Sequence, residues 1–362
     1  MVNNMKVKKI YLILIILSII AIIFVYNDYF LYKTTIIKVS SVYEINNKNQ
    51  KDEYYDQKIF GIVKNGKFKG NKITVINSTS ISSVYDDKIN NNSDIFVELT
   101  NNGTKANKII GIKRDKYIVI LVVIFIDLLL LLANKKGAKI LLSLIINILI
   151  TLLSILLFSN YYQKVNILIL YLLLSILYIV ISLFITNGIN KKSISAITSS
   201  IVSLYTSFGL LFLLLKVFEK DISLWTMDYI EVVYDYKNFF YVCVLLSGLG
   251  AIMDISITIS SSLNELILKD NKISKDKLLK SGKEISKDVI GTMCNVMLFT
   301  CYTSVIPIVF LAIRNNIPLF SALNNYGQTE LIIVLCSCIS IVFCVPISLY
   351  ISTMILKKKE VK

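Results

Sequence analysis

Long apolar runs alternate with short lysine-rich segments along most of the chain. Eight of these runs carry almost no charge, and they span residues 10–26, 117–132, 140–158, 167–185, 194–218, 239–259, 289–313 and 331–356. A transmembrane helix needs roughly 17 to 25 predominantly apolar residues. The pattern therefore predicts an all-α integral membrane helix bundle with eight transmembrane helices.

The segment between the first and second runs has a different pattern, in which short apolar stretches alternate with polar residues. Five stretches, beginning at residues 35, 59, 73, 95 and 109, have the period of two that is typical of β-strands. Asn65-Gly66 and Asn102-Gly103 are hairpin signals between such stretches. We therefore predict a small antiparallel β domain, a barrel or a sandwich, inserted between helices 1 and 2. It is either a spacer or assembly domain or a ligand-binding domain.

These patterns divide the chain into an N-terminal anchor at 1–26, the β domain at 27–116 and a seven-helix membrane domain at 117–362. The anchor is similar to a signal peptide, but no small residues of a cleavage site end it, so we expect it to remain attached. Lysines before the first run, at positions 6, 8 and 9, predict a cytoplasmic N-terminus. The β domain is then extracytoplasmic.

The positive net charge of the chain is explained by lysines that flank the predicted membrane spans. There are 39 basic and 24 acidic residues, which give a formal net charge of +15. Many of the lysines lie in short segments beside apolar runs, where they set topology and contact membrane lipids. With eight crossings these segments fall on one side, which predicts a multi-pass protein of the cell membrane with both termini in the cytoplasm. Nucleic acid is not an expected partner.

Residue types that serve catalysis are scarce. The chain has no histidine, which excludes every site built on imidazole, and its six cysteines all lie in apolar runs. No nucleophile–base pair, metal-ligand spacing or phosphate-binding glycine loop is present. We therefore expect no enzyme activity, no cofactor and no metal site.

The connection between the sixth and seventh runs is expected to contain a helix break. Ser274 is predicted to cap a short helix that ends at Gly282, and Ser286 to cap the next membrane helix. This pattern predicts two helical pieces rather than one.

Four apolar runs contain a carboxylate or an amide, at Asp127, Asn147, Asp254 and Asn295. At a rise of 1.5 Å per residue, each lies roughly 7 to 11 Å from the cytoplasmic end of its run. Thr258 shares a helix face with Asp254, and Thr292 shares one with Asn295, because positions three and four apart are neighbours. Such groups are costly in hydrocarbon and usually mark a function or tight packing.

Two explanations remain open for these polar residues. In the first, they hold helices together by close packing and hydrogen bonds, which contribute about 0.6 to 2 kcal/mol each in membranes. In the second, they line a path for a solute or ion. The second fits Asp254 better, since no basic side chain is expected beside it. Asp127 is two helical turns from Lys135, whose long side chain can approach it.

Several segments carry a family resemblance. They are Gly248-Leu-Gly-Ala-Ile-Met-Asp254, Ile259-Ser-Ser-Ser-Leu-Asn-Glu-Leu266, Ser281-Gly282, Lys287-Asp-Val-Ile-Gly-Thr-Met-Cys-Asn295 and the short loop Asn187-Gly-Ile-Asn-Lys-Lys192. Together they resemble the YibE/F family of bacterial multispan membrane proteins, over roughly residues 110–356. The anchor followed by a β domain is similar to the longer, YibE-like members. Asn187 stands where the family often has histidine, and Lys287 where arginine is frequent.

The resemblance implies a multispan membrane protein, with a permease role as the first expectation and no established substrate. The expected path residues are Asp254, Asn295, Asp127, Asn147, Thr258 and Thr292. The alternative is a non-transporting sensor or assembly scaffold that uses the β domain. Expected partners are membrane lipids and either a second copy of the chain or a related family member, since the family is sometimes encoded beside one.

Overall fold

The computed structural model describes residues 16–45, 54–80, 86–100, 106–161, 164–217 and 236–357 of the chain. Two compact units divide it, at residues 1–137 and 138–362. The lysines before the first apolar run and the Asn102-Gly103 pair lie outside the described residues.

The first unit contains the predicted β domain. Its strands are β1 (Thr35–Ile45), β2 (Tyr54–Val63), β3 (Lys72–Ser80), β4 (Asp94–Leu99) and β5 (Ala106–Ile112). They form one antiparallel sheet in the order β3-β2-β1-β4-β5. The outer strands β3 and β5 also contact each other, so the sheet curls toward a small barrel. The prediction of a small β domain near the N-terminus is confirmed.

Branched aliphatic side chains fill the interior of this sheet. Ile37, Ile59 and Ile95 are fully buried, and the alternate position Lys38 is exposed. Side chains branched at Cβ pack well on a pleated surface.

Gly61 of β2 lies against Ile37. A Cβ added to this glycine would lie 2.8 Å from the Lys38 carbonyl oxygen, so a larger residue would collide there.

Helices flank the β domain in the chain. α1 covers Ile16–Tyr26, and a 3-10 turn follows it at Asp28–Leu31. α2 is a 47-residue helix, Asp115–Tyr161, that is interrupted at Asn134, where φ is 49° and ψ is −126°. At a rise of 1.5 Å per residue, its two segments together amount to about 70 Å of helix, more than twice the thickness of a bilayer's hydrocarbon core. The interruption lies between the second and third predicted runs, so α2 consists of two helical segments.

The second unit contains the second segment of α2 and the remaining helices. These are α3 (Ile167–Asn187), α4 (Lys191–Val217), α5 (Tyr236–Lys269), α6 (Lys275–Arg314), the short α7 (Leu319–Ala322), a π-helix (Leu323–Gly327) and α8 (Gln328–Leu356). α8 is central, because it contacts α4, α5 and α6. Buried aliphatic side chains of α5 and α8, such as Ile255 and Ile341, form the middle of the core.

Serine hydroxyls line the contacts of α8 with α4 and α5. The hydrogen-bonded pairs are Ser195 with Ser352 at 2.8 Å, Ser256 with Ser348 at 3.0 Å, and Ser247 with Ser337 at 2.6 Å. Small side chains let helix backbones approach closely, which is a common way for membrane helices to associate. These serines therefore act in helix packing, the first of the two explanations considered for small polar residues.

α6 contradicts the predicted helix break. Ser274 caps the helix by accepting a backbone hydrogen bond, as expected. The helix then continues through Gly282, and Ser286 donates to the Gly282 carbonyl within it, so the predicted end at Gly282 was wrong. A Cβ at position 282 would collide with Leu349 of α8 and lie 3.0 Å from Leu263 of α5. The glycine thus permits helix contact rather than ending a helix.

Six helices among the described residues are long and apolar enough to cross a membrane. They are α2, α3, α4, α5, α6 and the segment Leu319–Leu356 that includes α8. The predicted count of eight is not confirmed, because only Ile16–Tyr26 of the first run lies in a described helix and α2 carries two runs. The mostly helical fold class with a small N-terminal sheet is confirmed.

Candidate functional site

Asp127 lies in the first unit and joins two helices. Its two carboxylate oxygens accept hydrogen bonds from the Ser18 hydroxyl of α1, at 2.9 and 2.8 Å. Ser18 is 109 positions away in the chain, so no local pattern could have paired these residues. The carboxylate has a structural partner, which is what the packing explanation requires.

Asn147 belongs to a row of side-chain hydrogen bonds between the second segment of α2 and α3. Its side-chain amide donates to the Ser182 hydroxyl at 2.7 Å. Two further hydrogen bonds between these helices follow toward the end of α2. They join Thr151 to Tyr178 at 2.9 Å and Ser154 to Tyr171 at 3.2 Å. The Asn147 Oδ1 atom is buried and has no hydrogen-bond partner among the described residues. The amide group of Asn147 therefore serves the contact between the two helices.

Asp254 and Thr258 lie on an exposed face of α5. The opposite face, which includes Ile252 and Ile255, is fully buried against the core. Gly250 is also exposed, and apart from its chain neighbours and the nearby backbone of its own helix, no atom lies within 4 Å of the position that a Cβ would take there. Gly250, Asp254 and Thr258 therefore form a small and polar stripe on α5, and in the single chain this stripe points away from the bundle.

Asn295 and Thr292 lie on an exposed face of α6. The Thr292 hydroxyl donates to the backbone carbonyls of Asp288 and Val289, at 3.1 and 3.0 Å, so it is satisfied within its own helix. The Asn295 side chain has no hydrogen bond to a described residue. Like the stripe on α5, this stripe is open to the surroundings of the chain.

The structure does not join the six candidate residues into one hydrogen-bonded cluster. Asp127 and Asn147 bond to serines of neighbouring helices, and Asp254, Thr258 and Asn295 make no side-chain hydrogen bond among the described residues. Their use as a path remains a prediction. Within the described ranges, no three cysteine or acidic side chains are grouped so that they could hold a metal ion.

A buried ion cluster in the first unit was not anticipated from the sequence. The Lys113 ammonium lies 2.7 Å from a carboxylate oxygen of Asp28 and 2.7 Å from one of Asp115, and only 2% of its side chain is exposed. The Tyr32 hydroxyl donates to Asp115 at 2.5 Å, and the Tyr29 hydroxyl donates to Asp94 at 3.2 Å. Lys113 ties the end of β5 to α2 and to the turn after α1.

Burial and the neighbouring charges raise the pKa values of three side chains in this cluster. Burial alone lowers the pKa of Lys113, but hydrogen bonds to Asp115 and Asp28 raise this pKa above its usual value, so the ammonium stays charged. Burial and the nearby Asp94 raise the pKa of Tyr29 to about 12. Burial and the hydrogen bond to Asp115 also raise the pKa of Tyr32. The cluster is therefore stable as a set of ion pairs and neutral phenols at neutral pH.

A cavity of about 840 Å³ lies in the first unit beside this cluster. Its walls combine tyrosines at the ends of the two helices, a loop of asparagines and several basic side chains, among them Tyr26, Tyr117, Asn91, Lys38, Arg114 and Lys116. The Lys116 ammonium stacks over the rings of Tyr26 and Tyr117. Aromatic, amide and basic groups together suit a polar ligand better than an apolar one.

Two family models match the chain. One, described as YibE/F-like protein, matches residues 121–358, and the other, described as YibE/F family N-terminal domain, matches residues 30–112. No curated protein and no solved structure matches it.

Proposed function

This chain belongs to the YibE/F family, and we propose that it is a membrane permease for a solute or an ion rather than an enzyme. In this proposal α1, the two segments of α2 and the five later long helices cross the cell membrane, which makes eight spans. Both termini are cytoplasmic and the β domain is extracytoplasmic. The long apolar helices support a multi-pass membrane protein.

The outward position of Asp254 is the observation that carries the proposal. Its carboxylate is exposed on α5 and has no hydrogen bond to a described residue. A charged side chain at the centre of a bilayer costs about 2.5 to 3.5 kcal/mol or more. Such a face is stable within a membrane when it borders water or another protein, and unstable when it borders acyl chains.

We propose that a second copy of the chain, or a related family member, covers the exposed stripes of α5 and α6. Asp254, Thr258, Thr292 and Asn295 then line a polar path along the covered faces, and Asp254 contacts the transported group. Asp127 and Asn147 support the path indirectly, since their hydrogen bonds hold pairs of helices together. Membrane lipids contact the remaining apolar faces.

Thiol labelling tests whether this path contains water. In a variant without the native cysteines, Asp254→Cys, Thr258→Cys and Asn295→Cys are expected to react with a membrane-impermeant maleimide in proteoliposomes. Val296→Cys is the matched control, because Val296 is exposed and adjacent to Asn295 but lies off the polar stripe. We expect Val296→Cys to remain unlabelled.

Ion flux tests the role of Asp254 although the substrate is unidentified. Proteoliposomes with an internal pH-sensitive dye and a proton, sodium or potassium gradient should report a proton flux, either alone or coupled to the cation. We expect Asp254→Asn to abolish this flux while the protein remains folded. If the three cysteines on the stripes stay as unreactive as Val296→Cys, the faces border lipid and the permease proposal fails.

A sensor or assembly role for the β domain is the second candidate, and the cavity beside the Lys113 cluster favours it. Under this alternative, the full chain in nanodiscs binds soluble cell-envelope fragments at the cavity. Hydrogen exchange at residues 86–94 should then slow when the fragments are added. Unchanged exchange across these residues would argue against the sensor role.

A further inference from the structure

The cavity beside the Lys113 cluster lies where α1 and α2 leave their apolar segments. Tyr26, the last residue of α1, and Tyr117, in the first turn of α2, both line it. Away from the cavity along each helix, large apolar side chains are exposed, as at Ile23 of α1 and Leu121 of α2. Tyrosines are enriched where membrane helices pass from hydrocarbon to water. These features place the cavity at the expected boundary of the bilayer, at the depth of lipid head groups.

The apolar surface of α2 begins in the wall of this cavity. Ile118 belongs to the lining, and 60% of it is exposed. Exposed apolar side chains continue from it along α2, at Leu121, Val122 and Phe125. A lipid whose head group occupies the cavity can therefore place its acyl chains along this surface without leaving the bilayer.

The acidic groups around the cavity already have partners. Asp94 belongs to the lining, and one of its carboxylate oxygens accepts a hydrogen bond from Tyr29, whereas the other lies 3.8 Å from the Lys116 ammonium. Asp87 forms an ion pair with Arg114. The carboxylates of the buried cluster behind the cavity are paired with its lysine. These acids therefore leave the other basic groups of the lining free to bind an anion.

The lining keeps several hydrogen-bond donors without an acceptor. Lys38 of β1 is exposed in the cavity and makes no ion pair with a described residue. The Arg114 guanidinium has five N–H donors, and only its Nη2 atom enters the ion pair described above. The Asn91 Oδ1 atom accepts from the backbone N–H of Val42 at 2.9 Å, so the amide N–H groups of Asn91 remain to donate. The cavity thus offers donors and suits a ligand rich in acceptors.

The charge and the size of the cavity identify the ligand. Lys38 is the basic residue of the lining without a counter-charge among the described residues, so a group with one negative charge complements it. A phosphodiester carries one negative charge and several acceptor oxygens, and lysine and arginine form strong charge-assisted hydrogen bonds with it. About 840 Å³ also accommodates the alcohol part of a head group. A carboxylate alone would leave most of this volume unfilled.

We propose that this cavity binds the phosphodiester group of an anionic phospholipid. Lys38 and Arg114 donate to the phosphate oxygens, Asn91 donates to the alcohol part of the head group, and the acyl chains follow α2 from Ile118. The proposal rests on the insertion of α1 and α2 in the membrane, which the proposed function assumes, but not on transport through Asp254. It gives the cavity a different occupant from the soluble fragments of the sensor role.

Native mass spectrometry of the full chain in an uncharged detergent tests the site. The probe is phosphatidylglycerol, and diacylglycerol with the same acyl chains is the ligand control that lacks the phosphate. We expect the chain to retain phosphatidylglycerol and to lose diacylglycerol. Lys38→Gln should weaken the binding of phosphatidylglycerol about 5-fold, as expected for one lysine at a membrane surface.

Lys72→Gln is the matched control variant. Lys72 is exposed on β3 of the same sheet, has no ion pair with a described residue and does not line the cavity. It has the same charge as Lys38, so any general attraction of the basic chain for an anionic lipid changes equally in both variants. We expect Lys72→Gln to bind phosphatidylglycerol like the unmodified protein.

Competition identifies the source of the phosphate. Glycerophosphoglycerol is the same head group without acyl chains, and it should compete more than about tenfold less well than the lipid, since burial of even two methylene groups contributes this much. Equal competition would show that a free phosphodiester is the ligand and that the lipid is not. Oleate that competes as well as phosphatidylglycerol would show that the site recognises charge rather than phosphate, which would also overturn the proposal.

Two further results would count against the site. Equal binding of phosphatidylglycerol by Lys38→Gln and Lys72→Gln would show that Lys38 does not hold the phosphate. Retention of diacylglycerol at the level of phosphatidylglycerol would show that the acyl chains bind without the head group. Resistance of the chain to alkaline extraction from liposomes measures insertion separately. An inserted chain that binds no phosphatidylglycerol would therefore exclude this site and leave the permease proposal standing.

Discussion

Gly282 provides the sharpest test of how α6 contacts its neighbours. In Gly282→Ala, the added methyl group would collide with Leu349 and lie 3.0 Å from Leu263. Leu263 is fully buried and only 7% of Leu349 is exposed, so neither leucine has space to move aside. The substitution therefore pushes α6 away from α5 and α8.

Two opposing effects determine how much Gly282→Ala changes the free energy of unfolding. Alanine is favoured over glycine inside a helix by about 1 kcal/mol. Forcing an extra methyl group into a packed core costs about 1 to 3 kcal/mol. Because both leucines belong to the core, we expect the collision to dominate, with a net loss of up to about 2 kcal/mol in the free energy of unfolding.

Gly291→Ala is the matched control in the same helix. Apart from its chain neighbours and the nearby backbone of α6, no atom lies within 4 Å of the position that its Cβ would take. Only the gain in helix propensity, about 1 kcal/mol, therefore applies. Thermal unfolding of the full chain in one detergent, followed by circular dichroism, should give a lower midpoint for Gly282→Ala and an equal or higher one for Gly291→Ala, relative to the unmodified protein. Equal rises in both variants would refute the close approach of the three helices.

Three further predictions concern the polar contacts. Lys113→Met leaves the buried carboxylate of Asp28 and the partly exposed one of Asp115 without a counter-charge. It should destabilise the first unit by about 3 to 5 kcal/mol in thermal unfolding. Lys88→Met, which removes an exposed ion pair with Glu44, should change the stability by less than about 1 kcal/mol, and similar losses in both variants would contradict the burial of Lys113. The pKa of Tyr29 is raised to about 12. The stability that depends on its neutral phenol should therefore be complete below pH 10 and fall as the pH rises from 10 toward 12. An absorbance titration of Tyr29 with an ordinary phenol midpoint would exclude this shift. A double-mutant cycle of Asn147→Leu and Ser182→Ala should give a coupling of about 0.6 kcal/mol, and perfect additivity would mean that this hydrogen bond does not stabilise the fold.

The sequence was sufficient for the elements whose side-chain period reflects their surroundings. Alternation around Ile37 and Ile59 predicted strands, and long apolar runs predicted helices, because a repeating pattern records which face is buried. Helix ends were less predictable. Gly282 and Ser286 look like an end and a cap, yet the same residue types also occur where two helices approach closely, and only the neighbouring helix distinguishes these uses.

The candidate site was harder to predict than the fold for a related reason. Equal depth placed Asp127, Asn147 and Asp254 together in the sequence interpretation, but depth says nothing about which helix face meets which neighbour. Asp127 bonds to a serine 109 positions away, and Asp254 faces outward. The Lys113 cluster was missed because Asp28 comes beside Lys113 and Asp115 only when the strands between them fold.

The hydroxyl pairs around α8 have a mechanical consequence. Ser337 donates both to the carbonyl of Ile333 in its own helix, at 2.9 Å, and to Ser247 of α5, at 2.6 Å. A hydroxyl with two acceptors within reach can exchange one for the other without losing its bond. Small axial sliding of α8 past α5 can therefore exchange one acceptor of this hydroxyl for the other rather than leave it without a hydrogen bond.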